Sequence, residues 1–489
     1  NLLRGPPETT VKVIVERESR AASSTPDDQV TAREIGKRSD SSVRVLEAEL
    51  PRSQVRLRDV KLATLLGPSE GASSNQPAIG YVELSGFSQE AGAELRQAVA
   101  NLDAEARVLH GTPLTGLVLD LRGNPGGLLT SAVDVASVFV PKDSDIVSAK
   151  GRGFRPVLYR STAEPVVPSS VPLAVLINSG TASAAEIVSG AIQDLDAGVI
   201  IGADKTFGKG LVQNVSPLPY NTALKYTVAK YYTPSGRCIQ SVDYGGSGED
   251  GDTDDTTLEP VNKLSAKEFT PPGQGRAVKN RKGFLTSTGR LVRDGGGIEA
   301  DVKVPAPKLS LVEALLIQSG TLFDFATDWT RTHELSPTQD GPIVTNSVYS
   351  DFKRYVTAQI RSGNIDAESV YAPQLEDLER TFRDGNRNSR QALAQLQKVR
   401  DALLVDMSSD MNEHEKDLQQ GLEDAIRSRY VPESWLLKDA LTRDAQLKVA
   451  LSIIGDRPRY DSLLLPSKEP EQVRSTENSA MSTAVRPGL

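Results

Sequence analysis

The sequence predicts an α/β protein followed by an all-helical region, and three observations predict it. Short apolar runs at residues 79–84 (I-G-Y-V-E-L), 116–121 (G-L-V-L-D-L) and 171–178 (V-P-L-A-V-L-I-N) read as strands. Segments with helical patterning follow each of them, at 88–102, 128–140 and 184–195. Past Leu309 the apolar period lengthens to that of amphipathic helices, with Leu375, Leu378 and Phe382 on one face and Leu393, Leu396 and Leu403 on another.

Strands that alternate with helices imply a largely parallel sheet covered on its faces. Ligands on such sheets bind beyond the carboxyl ends of the strands. Two turns fall there: R-G-N-P-G-G at 122–127 and T-A-S-A-A-E at 181–186. Ahead of this region, residues 1–17 hold one alternating strand (Val11, Val13, Val15), which reads as the trailing edge of a small domain. Residues 18–42 read as a polar linker, and strand-like runs follow at 43–50 and 55–62. The G-G-S-G-E-D-G-D-T-D-D-T-T run within 241–282 reads as a mobile insertion. The expected division is therefore 43–309 for the α/β core, 310–465 for a helical domain and 466–489 for a loose tail. The chain starts at Asn1, so a fragment or processed form is expected.

At 489 residues the chain exceeds one core, and 38% apolar with 25% charged residues describes a soluble globular composition. A net charge of −8 without a basic run argues against nucleic acid. No apolar stretch reaches the roughly 20 residues that span a bilayer. One cysteine, Cys238, excludes an internal disulfide and a multi-cysteine metal site. The glycine turn lacks G-K-[ST], so it fails as a phosphate loop. Neither metal nor cofactor is expected.

Only three histidines occur, His110, His333 and His414, and none sits in a motif suited to a Ser-His-Asp triad. What remains for nucleophilic chemistry is Ser183, with Lys209 26 residues later in T-F-G-K-G-L-V-Q and Gln213 four beyond it. A serine hydroxyl needs a base, and a lysine serves only when burial from water disfavours its charge. Phe207, Leu211 and two glycines around Lys209 suit such burial. If 209–213 is extended, Lys209 and Gln213 share a face, so the amide orients the amine without adding charge. Ser183 opens a helix, where the amide of Ala184 is a natural oxyanion donor; the second comes from the glycine pair, Gly126 being favoured over Gly127. Asp194, at the far end of that helix, is a candidate supporting carboxylate, with a solvated terminal acid as the plainer alternative. Plainer alternatives hold elsewhere too: Ser183 and Glu186 form an S-x-x-E capping box, and Lys209 could be a solvated turn lysine.

At D-L-R-G-N-P-G-G, V-L-I-N-S-G-T-A-S-A-A-E-I-V-S-G-A-I-Q-D, T-F-G-K-G-L-V-Q, Y-Y-T-P-S-G-R-C-I-Q and D-G-G-G-I-E-A-D the chain resembles the carboxyl-terminal processing peptidases, or tail-specific proteases. The five blocks stand in the family's order. The resemblance implies a crotonase/ClpP-like protease core, Ser183 as nucleophile, Lys209 as general base and Gln213 as its orienting partner. It further implies cleavage of protein substrates near accessible C-termini, without metal or nucleotide, in the thylakoid lumen or bacterial periplasm. In that family a PDZ domain binds the substrate tail, and L-L-R-G-P-P-E-T-T-V-K-V-I-V-E-R resembles its end. Ala185 stands where relatives often carry a second serine, and the loop from Asp194 to Lys209 is one residue longer than the family pattern. Residues 310–465 resemble the helical extension of longer members, a candidate surface for homodimerisation. The alternatives are a catalytically silent tail-binding scaffold, which has no use for the Ser-Lys-Gln set, and a Ser-Lys amidase, which would need a second serine.

Overall fold

The computed structural model describes residues 3–18, 32–37, 43–54, 58–66, 77–241, 281–307, 309–333, 341–365 and 407–466, with isolated helical positions between 376 and 399. The expected mobile insertion and the C-terminal tail lie outside the described residues. The chain divides into two units, one of residues 58–306 with 441–489, the other of 1–57 with 307–440.

The first unit is built on a six-stranded sheet. Its strands are β4 (Val60–Leu66), β5 (Ile79–Leu84), β6 (Gly116–Asp120), β9 (Leu173–Ile177), β10 (Val199–Gly202) and β15 (Val302–Lys303), ordered β15-β10-β9-β6-β5-β4. All neighbours are parallel except β4 against β5. Strands β6, β9 and β10 are buried at every position, as near-continuous apolar runs require, with Asp120 at the end of β6 the one charged member. Helices α1 (Ala91–His110), α2 (Leu129–Ala136) and α3 (Ala184–Asp194) share one core with Leu117, Leu119, Val175 and Ile177.

Gly116 and Val118 alternate with those side chains and point to the opposite face. That face is covered by residues that the sequence reading assigns to the helical domain. Helix α10 (Ala445–Gly455) buries Leu447, Ala450, Ile453 and Ile454, and a Cβ on Gly116 would lie 2.2 Å from Ile454 Cγ2. In α11 (Arg457–Leu463) the Tyr460 hydroxyl accepts from the Leu173 amide at 3.0 Å and donates to the Leu173 carbonyl at 3.2 Å. The helical pattern is right; its allegiance differs, because an apolar helix stripe carries no record of which surface it covers.

Beside this sheet stands an antiparallel one, ordered β11-β12-β7-β8, from β7 (Asp145–Gly151), β8 (Phe154–Arg160), β11 (Leu211–Leu218) and β12 (Thr222–Tyr232). β11 is an edge strand, and its register against β12 shifts between Val212 and Gln213. A short hairpin pairs β13 (Gly283–Leu285) with β14 (Leu291–Arg293).

In the second unit β1 (Thr10–Glu18) is not a lone strand. It pairs along its length with β3 (Val43–Pro51), which pairs in turn with β2 (Ala32–Lys37), so the expected linker supplies a strand and the start of the expected core supplies its partner. The helical part contains α4 (Leu311–Gln318), α5 (Thr321–Thr332), α6 (Asn346–Arg361), α7 (Met407–Glu413) and α8 (Glu415–Arg427), and α9 (Glu433–Arg443) leads back towards the first unit. Leu315, Leu316, Phe325, Tyr349, Phe352, Leu418, Leu422 and Ile426 form its core. No described helix is long and apolar enough to cross a membrane.

Replacing Ile454 by Ala should destabilise the protein by about 2–5 kcal/mol through lost burial and a residual cavity. Gly116→Ala should cost about 1–3 kcal/mol by overpacking. Combined, the two should cost less than their sum in denaturant melts, since each relieves the other's defect.

Candidate active site

Two turns meet at the carboxyl ends of β6 and β9, and paired side chains stitch them together. Asn178 Oδ1 accepts from the amides of Gly123 and Gly180, both at 2.9 Å. The Thr181 hydroxyl donates to the Leu121 carbonyl at 2.8 Å, and the Ala182 amide to the Asn124 carbonyl at 2.9 Å. Asn124, fully buried, donates through Nδ2 to the Leu84 carbonyl at 2.6 Å. Three parallel strand ends are thereby locked into one platform.

Ser183 stands on that platform with φ 56° and ψ −112°, outside the regions favoured by a side chain with a Cβ. Such a conformation costs about 1–3 kcal/mol and persists only where its surroundings enforce it. Here Glu186 enforces it. Its buried carboxylate accepts from the Ser183 amide at 2.8 Å, while the Glu186 amide donates to the Ser183 carbonyl at 3.0 Å. The capping reading is therefore realised in part, and it coexists with a strained serine at a sharp strand-to-helix turn.

The same carboxylate reaches a second segment. Oε1 accepts from the Thr206 hydroxyl and the Gly208 amide, both at 2.6 Å, and Oε2 from the Lys209 amide at 2.8 Å. Because Ser183 and Lys209 both donate at 2.8 Å to Oε2, their amide nitrogens lie within 5.6 Å of each other. Burial pushes the Glu186 carboxyl up from its ordinary range, against the downward pull of Thr206 and the three amides. Sequence reasoning noticed Glu186 only as a cap; nothing local announces its hold on residues 206–209.

Lys209 itself differs from expectation, being exposed rather than buried. It precedes the edge strand β11 instead of sitting under cover, and its ammonium makes no hydrogen bond or ion pair among the described residues. Gln213 is also exposed, on β11 at the register shift.

On the oxyanion side, Gly126 adopts φ +91°, and a Cβ there would lie 2.8 Å from the Ala184 nitrogen, 2.8 Å from Ser183 Cβ and 2.6 Å from the Ala182 oxygen. Glycine thus keeps open the space before the Ala184 amide. The Gly126 amide, however, donates to Asn124 Oδ1 at 2.9 Å, which corrects its assignment as a donor. The amides of Gly127 and Ala184 have no acceptor among the described residues.

Asp194 is neither solvated nor near the nucleophile's end of α3. Its Oδ1 pairs with Arg237 Nη2 at 2.7 Å, both side chains being almost fully buried, and Oδ2 accepts from the Ser235 amide at 3.0 Å. Arg237 also donates to Gln193 Oε1 at 2.7 Å. Gln193 in turn donates to Asp301, which Arg290 joins to Asp196. This network fixes the far end of α3 and is structural. Among the described residues, one trio with metal-ligand atoms within 4.8 Å of one another, Glu313, His414 and Asp417, lies in the helical part; Glu313 already accepts from the Ser310 amide at 2.7 Å.

The site thus combines a strained serine on a helix start with a lysine-bearing loop and, among the described residues, two amides without an acceptor. Residues 78–245 match the family model for peptidase family S41, and residues 312–454 that for the probable PDZ-protease C-terminal helical domain. The S41 match covers the stretch that holds Ser183, Lys209 and Gln213, and relatives named carboxyl-terminal processing proteases align with part of the chain. The chain is 43% identical over 164 residues to a carboxy-terminal-processing protease of Bartonella bacilliformis, covering 34% of this chain and 37% of that one. Identity is 35% over 212 residues with the chloroplastic carboxyl-terminal-processing peptidase 2 of Arabidopsis thaliana, covering 43% and 39%, and 35% over 219 residues with a Synechocystis carboxyl-terminal-processing protease, covering 44% and 48%. The chain thus spans less than half the length of these relatives. A solved photosystem II D1 C-terminal processing protease aligns at 34% identity and a TM-score of 0.32, over 41% of this chain and 50% of that one.

Glu186→Gln should place an amide donor against two of the four donors, lower stability by about 2 kcal/mol or more and release the Ser183 turn. Melting and hydrolysis assays on the same preparation should fall together. Asp194→Asn should cost about 3–5 kcal/mol by stranding Arg237, while turnover per folded molecule stays near that of the parent.

Proposed function

We propose that the protein is a serine endopeptidase that cleaves polypeptides near accessible C-termini through an acyl-enzyme on Ser183. The observation that carries this reading is the shared Glu186 carboxylate, which fixes the amides of Ser183 and Lys209 on one oxygen. Lys209 takes the Ser183 proton as the hydroxyl attacks, then passes it to the leaving amine, and later activates the water that releases the acyl group. Gln213, on the strand that follows, orients the amine without adding charge. The amides of Ala184 and Gly127 receive the developing oxyanion, the second replacing Gly126 because that amide is taken.

The exposure of Lys209 gives the substrate a part in this chemistry. A polypeptide laid along the site excludes water from the amine, and loss of hydration disfavours the charged form of a lysine. No metal or cofactor enters this mechanism.

The core is read as crotonase/ClpP-like, and residues 1–17 as the end of a tail-binding PDZ domain, supported by the sheet that β1 forms with β3 and β2. The helical part offers a surface for a homodimer. An exported compartment, thylakoid lumen or periplasm, is supported by the chloroplastic and bacterial names of the relatives.

Ser183→Ala and Lys209→Ala should each reduce cleavage of an unstructured protein with a free C-terminus by at least about 10³-fold, with melting temperatures preserved. Gln213→Ala should cost less, on the order of tenfold. Full turnover by Lys209→Ala would remove the lysine from the mechanism, and full turnover by Ser183→Ala would leave the scaffold reading in its place.

A further inference from the structure

The turn that carries Gly127 begins at Arg122, and the guanidinium of Arg122 is gripped along two edges. Towards the sheet, Nε donates to both oxygens of Asp120 at 3.0 Å and Nη2 to Asp120 Oδ2 at 2.5 Å, while the Arg122 amide donates to Asp120 Oδ1 at 2.9 Å. Asp120 is itself held by the Tyr81 hydroxyl at 2.8 Å. On the outer edge, Nη2 pairs with Asp444 Oδ2 at 2.6 Å and Nη1 donates to Gln446 Oε1 at 3.1 Å. Asp444 and Gln446 come from the start of α10, more than 300 residues further along the chain.

A planar guanidinium held along one edge can still swing about that edge; held along two it has one orientation. That orientation bears on the site because the turn has no slack. Asn124 ties its middle to Leu84, Ala182 and Gly126, and Gly126 lies against the Ala182 oxygen, the Ala184 nitrogen and Ser183 Cβ with no room for even a methyl group. A shift of Arg122 therefore passes to Gly126 and Gly127 as a change in where an oxyanion donor sits.

We propose that Asp444, seconded by Gln446, is a positioning residue for the oxyanion turn, acting through Arg122. The inference rests on the protease reading for its catalytic consequence, and on geometry alone for its structural one. The chain leaves the sheet at Val304 and returns at Asp444, and Gln446 Nε2 donates to the Val304 carbonyl at 3.0 Å. The residues that flank 305–443 on both sides are thus joined to each other beside Arg122.

Asp444 has a second duty that makes the test clean. Its Oδ1 caps α10 by accepting from the Leu447 amide at 3.0 Å. Serine also caps helices well but is too short to reach Arg122. In the full-length protein, Asp444→Ser should keep the melting temperature and the slow hydrogen exchange of residues 447–455, yet speed exchange across residues 121–128. With a fluorogenic peptide that ends in a free apolar carboxylate, it should lower kcat about tenfold and leave KM within about twofold, as expected when a donor moves but binding does not. Arg122→Lys should lower kcat as well, and adding Asp444→Ser to it should bring little further loss. Unchanged exchange at 121–128 in Asp444→Ser would overturn the proposal whether or not the protein cleaves the peptide. So would a kcat equal to the parent's, or losses that add fully with Arg122→Lys. Failure of the parent to cleave, or cleavage equally fast by Ser183→Ala, would count against the protease reading and leave the exchange result to decide the positioning role.

Discussion

One buried carboxylate holds this site together. Glu186 accepts four hydrogen bonds, from Ser183, Thr206, Gly208 and Lys209, and so bonds to both the serine turn and the lysine loop. A buried charge is costly unless its lone pairs are filled, and here they are filled by the groups whose placement matters. The arrangement is self-enforcing: loosening either segment strands the carboxylate, so each segment is held by the cost of leaving the other. The strain at Ser183 is sustained by the same means.

Around that carboxylate the protein uses polar side chains in place of apolar packing to set backbone positions. Asn124, Asn178 and Thr181 each bond to main-chain groups of a neighbouring turn, which apolar side chains could not do. The apolar core beneath supplies rigidity, and the polar layer at the strand ends supplies placement. Lys209 stands outside both, its backbone fixed and its side chain free in water. In the proposed mechanism the site pairs a pre-set serine with a lysine whose surroundings are completed by what binds there.

How much of this was legible in the sequence follows from the range of each interaction. β5, β6, β9 and α3 could be read nearly to the residue, because their apolar runs are continuous and glycine or asparagine closes each turn. Ser183 could be found since a helix start leaves a local mark. What could not be read depends on contacts between distant segments: the Glu186 bonds to residues 206–209, the Asn124 bond that occupies the Gly126 amide, the pairing of β1 with β3, and the docking of α10 on the main sheet. The burial expected for Lys209 failed for a related reason. Phe207 and Leu211 flank it in sequence, but the loop ends in an edge strand with no neighbour on that side. Asp194 shows the converse, since a helix-end carboxylate looks solvated until its arginine, 43 residues away, is placed.

The sheet that carries Ser183 is sealed on one face by residues 445–463, which follow all of its strands in the chain. During synthesis the strands, the serine and the lysine all leave the ribosome long before that cover exists. Until Tyr460 can reach Leu173 and Ile454 can close over Gly116, one side of the sheet stays open to water and Arg122 lacks its outer carboxylate. Docking of residues 445–463 therefore follows the making of every strand it covers, and the outer grip on Arg122 is among the last contacts this unit can form.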